Sequence, residues 1–151
     1  MLLLAACGGS SKTSPPTTTT APAPPGDALY AGGNWAVSMS KGSATAYHLV
    51  GSTWRADRSG RVKIAILGPK PGAKVAAIPQ VAVELSAGKP LVESGIWVDG
   101  QELQVKGGGL TATRGTIYGA PPAPLAKGEH TAVAYGRTDG TGTAVAWSFR
   151  V

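Results

Sequence analysis

The chain has 151 residues, with 14 Lys or Arg against 8 Asp or Glu, for a formal charge of +6 at neutral pH. Its 22 Gly and 12 Pro break it up too often for a helical bundle, while 42% apolar residues are too many for a wholly disordered chain. One Cys and two His exclude an intrachain disulfide framework and any multi-cysteine metal site, and no 18-residue apolar run is present to span a membrane as a helix.

The chain opens Met1-Leu2-Leu3-Leu4-Ala5-Ala6-Cys7. Leu4-Ala5-Ala6-Cys7 resembles the lipobox of bacterial lipoprotein signal peptides. The small Ala6 suits the pocket that holds the residue before a scissile bond. The resemblance implies cleavage before Cys7, a thioether from its sulfur to diacylglycerol, and acylation of the new amino terminus. Two or more acyl chains give the durable anchoring that a single chain does not. Residues 1–6 are then a signal peptide, short and lacking the usual preceding Lys or Arg, and so read as truncated. The implied location is the extracytoplasmic face of the bacterial cell membrane.

Gly8 to Gly26 contains eight Ser or Thr, five Pro and the single charge Lys12. No side chain there is large enough to repay the entropy of ordering, so residues 7–27 read as a lipidated Cys with a disordered tether. At ~3.1 Å per residue in polyproline II it spans on the order of 60 Å, or about 25 Å as a coil. It serves as a spacer; its Thr and Pro also suit O-linked glycans.

From Asn34 the apolar pattern has period two. Trp35, Val37 and Met39 alternate with small or polar residues, Lys41-Gly42 turns the chain, and Thr45, Tyr47 and Leu49 alternate again. Gly51-Ser52 turns it back into Thr53-Trp54-Arg55, so residues 28–57 read as a meander of two or three strands that needs a neighbour to pack against. Val62, Ile64 and Ile66 share one strand face, and Val81, Val83 and Leu85 share another. Ile96-Trp97-Val98 runs into the hairpin dipeptide Asp99-Gly100, from which Leu103 and Val105 return. Thr116-Ile117-Tyr118 is a short strand, stopped by Pro121 and Pro122. The last pair is Thr131 to Arg137 and Thr143 to Val151, with Val145, Trp147, Phe149 and Val151 on one face. The expected fold is all-β: an antiparallel sandwich over residues 58–151, preceded by the meander and the tether.

Residues 62–151 resemble the Ig-like (Ig/fibronectin-type) domains of bacterial envelope proteins. The resemblance rests on Ser94-Gly95-Ile96-Trp97-Val98-Asp99-Gly100, on Pro124-Leu125-Ala126-Lys127-Gly128-Glu129-His130-Thr131, and on Ala146-Trp147-Ser148-Phe149-Arg150-Val151. It implies an Ig-like β-sandwich and leaves function open, because such sandwiches host unrelated activities.

No sequence motif for a nucleophile, a phosphate loop or a zinc site occurs, and the carboxylates are scattered, so no catalytic residue, cofactor or metal is assigned. His130 is expected to hydrogen-bond the backbone of the corner before its strand, as a tyrosine does in related sandwiches. His48 lies mid-strand. Trp147 belongs to the core, Trp97 is expected at the surface or over a sheet edge, and Trp35 and Trp54 are expected to join the meander to the sandwich. The charge is uneven: residues 55–74 hold Arg55, Arg58, Arg61, Lys63, Lys70 and Lys74 against Asp57 alone. That stretch, with Trp54 as a neighbouring stacking surface, is the expected site for a partner: an anionic cell-wall polymer, lipid headgroups or another envelope protein. Nucleic acid is disfavoured for a protein anchored outside the cell. The expected function is a non-enzymatic binding or scaffolding module of the envelope. Two alternatives stay open: an accessory domain of an envelope hydrolase or transpeptidase, using His48 or His130, and a periplasmic copper-handling sandwich.

Overall fold

A computed structural model describes residues 21–107 and 112–151. Residues 1–20, with the expected signal peptide, Cys7 and most of the expected tether, lie outside the described residues; the end of that expected disordered segment is instead ordered, with Pro22 and Gly26 against other strands and Asp27 beginning one. The described chain is all-β. The strands are β1 (Asp27–Gly32), β2 (Trp35–Ser40), β3 (Ser43–Val50), β4 (Thr53–Ala56), β5 (Val62–Gly68), β6 (Val81–Ala87), β7 (Glu93–Val98), β8 (Gln101–Glu102), β9 (Lys106–Gly107), β10 (Arg114–Gly119), β11 (Glu129–Arg137) and β12 (Gly142–Arg150). They form three antiparallel sheets, ordered β1-β2-β3-β4, β5-β6-β10-β9 and β12-β11-β7-β8. The last two make a β-sandwich with the strand order of immunoglobulin-type sandwiches.

The meander has four strands; β1 was not expected from the sequence. Its turns are tight. Lys41 and Gly42 both take positive φ (49° and 77°), as do Asp99 and Gly100 between β7 and β8 (50° and 82°). Such a pair matches the twist of the flanking strands, which is why these dipeptides make hairpins.

The β12-β11-β7-β8 sheet is the middle of three layers. On one side Ile96, Val98, Ala132, Ala134, Trp147 and Phe149 meet Val62, Val83, Leu85 and Ile117 of the β5-β6-β10-β9 sheet. On the other, Trp97, Val133, Tyr135, Ala144 and Ala146 meet Leu29, Tyr30, Val37, Met39, Ala44 and Ala46 of the meander. Alternate residues of each central strand therefore enter different cores. Trp97, expected at the surface or an edge, is 2% exposed and sits between layers. It belongs to the seam because the meander covers the face opposite Ile96 and Val98. Its ring also lies over Gly95, where an ideal Cβ would come within 2.6 Å of the indole. At the β3–β12 contact, alanines on both sides leave the two layers close together.

Candidate functional site

Each sheet has an outermost strand on the same side of the stack. β3 packs on β12, which places the next strand, β4, at that margin; β5 packs on β12 and β11 from the opposite core. The flank made by β4, β12 and β5 carries the basic residues. Arg55 is on β4, and Arg58 and Arg61 lie in the connection to β5. Lys63 is on the solvent side of β5, since Val62 beside it is buried. Lys70 returns over the end of β5, its Nζ donating to the Ile66 carbonyl at 2.5 Å. Lys74 bridges to Arg150 at the end of β12. All six are exposed. Among the described residues none of them forms an ion pair: the carboxylates that pair do so with Lys89, Arg114, His130, Arg137 and Arg150.

The flank is held by Asp57. Its carboxylate accepts from the Ser59 amide at 2.9 Å and from the Gly142 amide, the first of β12, at 2.8 Å. Burial pushes the Asp57 carboxyl up, but the amides of Ser59 and Gly142, with the Ser59 hydroxyl and nearby His48, outweigh it and leave the group below its ordinary range. The one acidic residue of the stretch is therefore occupied by backbone. β5 alone runs seven residues, about 23 Å at strand rise. The charges form an elongated stripe, a shape for a polyanion or a charged surface rather than for a small anion. Arg150, 3.7 Å from the Glu129 carboxylate, is a further cation of this flank, paired where the other six are not.

Trp54 does not sit with Arg55. Neighbouring residues of a strand point to opposite faces, and Trp54 shares the outer face of the meander with Leu49 and Tyr47. Its indole N–H donates to the Pro22 carbonyl at 2.7 Å. The expected stacking surface beside the basic stretch is thus on another face and already occupied; nor does Trp54 join the meander to the sandwich. Trp35 does: it is 8% exposed, lies 2.9 Å from an ideal Cβ on Gly142, and carries the Arg137 guanidinium 5.5 Å above its ring.

His130 is fixed at both nitrogens. Nδ1 lies 2.7 Å from Asp99 Oδ2 and Nε2 lies 2.7 Å from the Ala126 carbonyl. An ionised Asp99 and a backbone carbonyl are both acceptors, so the arrangement favours the protonated ring, which can donate to both. The Asp99 carboxylate, and after it the Ala126 carbonyl, raise its pKa above the ordinary value. Asp99 also accepts from the Thr131 amide at 3.0 Å. The corner bond expected of His130 is present at Ala126. The carboxylate partner, 31 residues away in sequence, was missed because nothing local marks it. His48 lies 5.4 Å from the Trp35 ring and its Nδ1 is buried without a hydrogen-bond partner among the described residues.

A second polar group lies in the seam. Arg137 pairs with Glu93, and Glu93 beside the Tyr30 hydroxyl, with burial, pushes that phenol up to about 12. Burial raises Tyr135 further, and its hydroxyl has no partner among the described residues. On the flank opposite the basic one, a cleft of about 580 Å³ is lined by Gln80, Gln101, Glu102, Gln104, Lys106 and Tyr118. Among the described residues no group of three His, Cys, Asp or Glu is placed to hold a metal ion, and no helix is long and apolar enough to cross a membrane. No protein-family model matches the chain, and no curated protein is found similar to it.

Proposed function

We propose that the chain is a lipid-anchored module of the bacterial cell envelope that binds an anionic partner along the β4–β12–β5 flank and catalyses no reaction. The observation that carries this reading is the flank itself: six exposed basic side chains, none of them in an ion pair among the described residues, with the one acidic residue of their own stretch, Asp57, tied to two amides. Leu4-Ala5-Ala6-Cys7 supports the anchor. The hydrolase alternative needs a histidine with a free lone pair facing a hydroxyl, whereas both nitrogens of His130 are taken up by Asp99 and the Ala126 carbonyl, and Nδ1 of His48 is buried. The copper alternative needs exposed Met or His on loops, whereas Met39 packs into the seam.

Two measurements test the reading. Expressed from the full-length gene, the protein should partition with membranes, and Cys7→Ala should release it. Retention on a polyanion resin should fall steeply between low and moderate salt, because exposed charges are screened beyond about 8–10 Å at physiological ionic strength. The triple change Arg58→Glu, Arg61→Glu and Lys63→Glu should elute at much lower salt. Equal elution of both proteins would make these charges a solvated surface only.

A further inference from the structure

The first described residues cross the meander. Asp27 opens β1 and pairs with Met39 of β2, whereas the Pro22 carbonyl takes the indole proton of Trp54 on β4. β1 and β4 are opposite margins of the sheet, so residues 22–26 pass over β2 and β3. They do so on the outer face, because the inner face is packed on the central sheet. Burial agrees: Ala36 and Ser38, whose strand parity points them outward, are 0% and 3% exposed. Gly26 runs so close that a Cβ there would stand 2.7 Å from the Met39 carbonyl and 3.6 Å from the Ser38 Cβ. Without this crossing the chain would join the body at the β1 margin. With it, the chain joins at the β4 margin, on the basic flank.

The two flanks differ in charge. The margin opposite the basic one, formed by β1, β8 and β9, carries Asp27 and Glu102 at exposed positions beside Lys106. From Cys7 to Pro22 is 15 residues, about 20 Å as a coil and about 45 Å fully extended. A body of this size is about 30–35 Å across, so fifteen residues hold the margin where the chain joins within reach of the anchor, while the far margin stands a body width beyond that attachment.

We infer that the basic flank faces the membrane in which the chain is anchored and takes acidic phospholipid headgroups as its partner. This rests on the anchored, anion-binding reading above and names the partner of that same flank. The crossing by residues 22–26 sets the orientation, and the headgroups supply the charge to which the stripe is complementary.

The test uses the full chain with Cys7→Ala, so that no acyl chain contributes, co-sedimented with vesicles of phosphatidylcholine alone or with one-third phosphatidylglycerol. Binding should require phosphatidylglycerol and fall about tenfold or more in the Arg58→Glu, Arg61→Glu, Lys63→Glu protein. A charge-matched control, Lys41→Glu, Lys106→Glu and Lys127→Glu, should lose less than about threefold. Equal losses in both proteins would show attraction by net charge alone and overturn the inference. Absent vesicle binding with retained polyanion binding would also overturn it, while leaving the anion-binding reading standing in favour of a wall polymer. In nanodiscs, a nitroxide on the headgroups should broaden amide signals of β5 before those of β8 in the lipidated chain. The reverse order would overturn the orientation.

Discussion

Replacing Trp97 with Ala separates the two cores of the central sheet. The indole is 2% exposed and packs with Val37, Ala46, Val133 and Tyr135. The opposite face of the same strand holds Ile96 and Val98 in the sandwich core. Truncating a buried Trp to Ala costs about 3–5 kcal/mol, through lost transfer energy and the cavity left behind. Against a typical total of about 5–15 kcal/mol for a domain, that loosens the meander without unfolding the sandwich. The ring rests on Gly95, which brings no side chain to refill the space, so the upper half of the range applies. Thermal denaturation should show a Tm lower by about 10–20 °C. Hydrogen exchange read by mass spectrometry should accelerate in β1–β4 well before β11 and β12, since the foldon losing its packing opens first. A Tm change of only a few degrees would refute the burial of Trp97 between layers. Uniform acceleration across all strands would refute the independence of the two cores.

Two further predictions concern titration. His130 has its pKa raised in the folded chain by Asp99 and Ala126, so the stability it contributes is complete below the ordinary His value of about 6.5 and is lost as pH rises through the higher folded value. Tm should therefore fall as pH rises above about 6.5, and His130→Gln should flatten that limb; an unchanged profile in the variant would assign the fall elsewhere. Asp57 has its pKa lowered in the folded chain, so its contribution is complete above the ordinary Asp value of about 3.9 and disappears as pH falls through the lower folded value. Asp57→Asn presents an amide N–H₂ to one of two amide donors, which should cost about 1–3 kcal/mol near neutral pH and make the acid limb shallower; denaturant melts at about pH 7 and 3 would contradict this if variant and wild type differed equally at both.

The strands with one wet face were legible in the sequence, because a half-buried strand writes its burial as alternation. In β5, Val62, Ile64 and Ile66 alternate with Lys63 and Ala65, and the inward set is the one expected. The central sheet writes a different pattern. Ile96-Trp97-Val98 and Ala132-Val133-Ala134-Tyr135 are unbroken apolar runs, and a run of that kind means burial on both faces. The alternation rule picks one face and leaves the other unassigned, which is why Trp97 was placed outside. β1 was missed because Asp27 to Gly32 has no sustained alternation, and its register shifts between Ala28 and Tyr30. The basic residues were legible as a cluster because they are contiguous in sequence. What holds them, Asp57 to Gly142 across 85 residues, and what occupies Trp54, Pro22 across 32, are contacts between segments that carry no mark of each other.

Edge protection and partner binding make different demands on the same charges, and the positions separate them. An exposed edge strand is guarded against pairing with another chain by a Lys or Arg on the strand itself. Arg55 on β4 and Lys63 on β5 meet that demand. β12 does not need it at its far end, where the Gly72 and Val75 amides bond to the Ser148 and Arg150 carbonyls at 2.8 Å and cover the edge. Arg58, Arg61 and Lys70 lie in connections, outside any strand, where there is no ladder to guard. Lys70 donates to the Ile66 carbonyl, but among the described residues no ion pair holds any of the three, and exposed charges of this kind contribute little to stability. Neutralising Arg58, Arg61 and Lys70 with Gln should then leave Tm unchanged or slightly raised while polyanion retention falls. Charges that guard no strand edge and pair with no carboxylate are those a binding surface would keep.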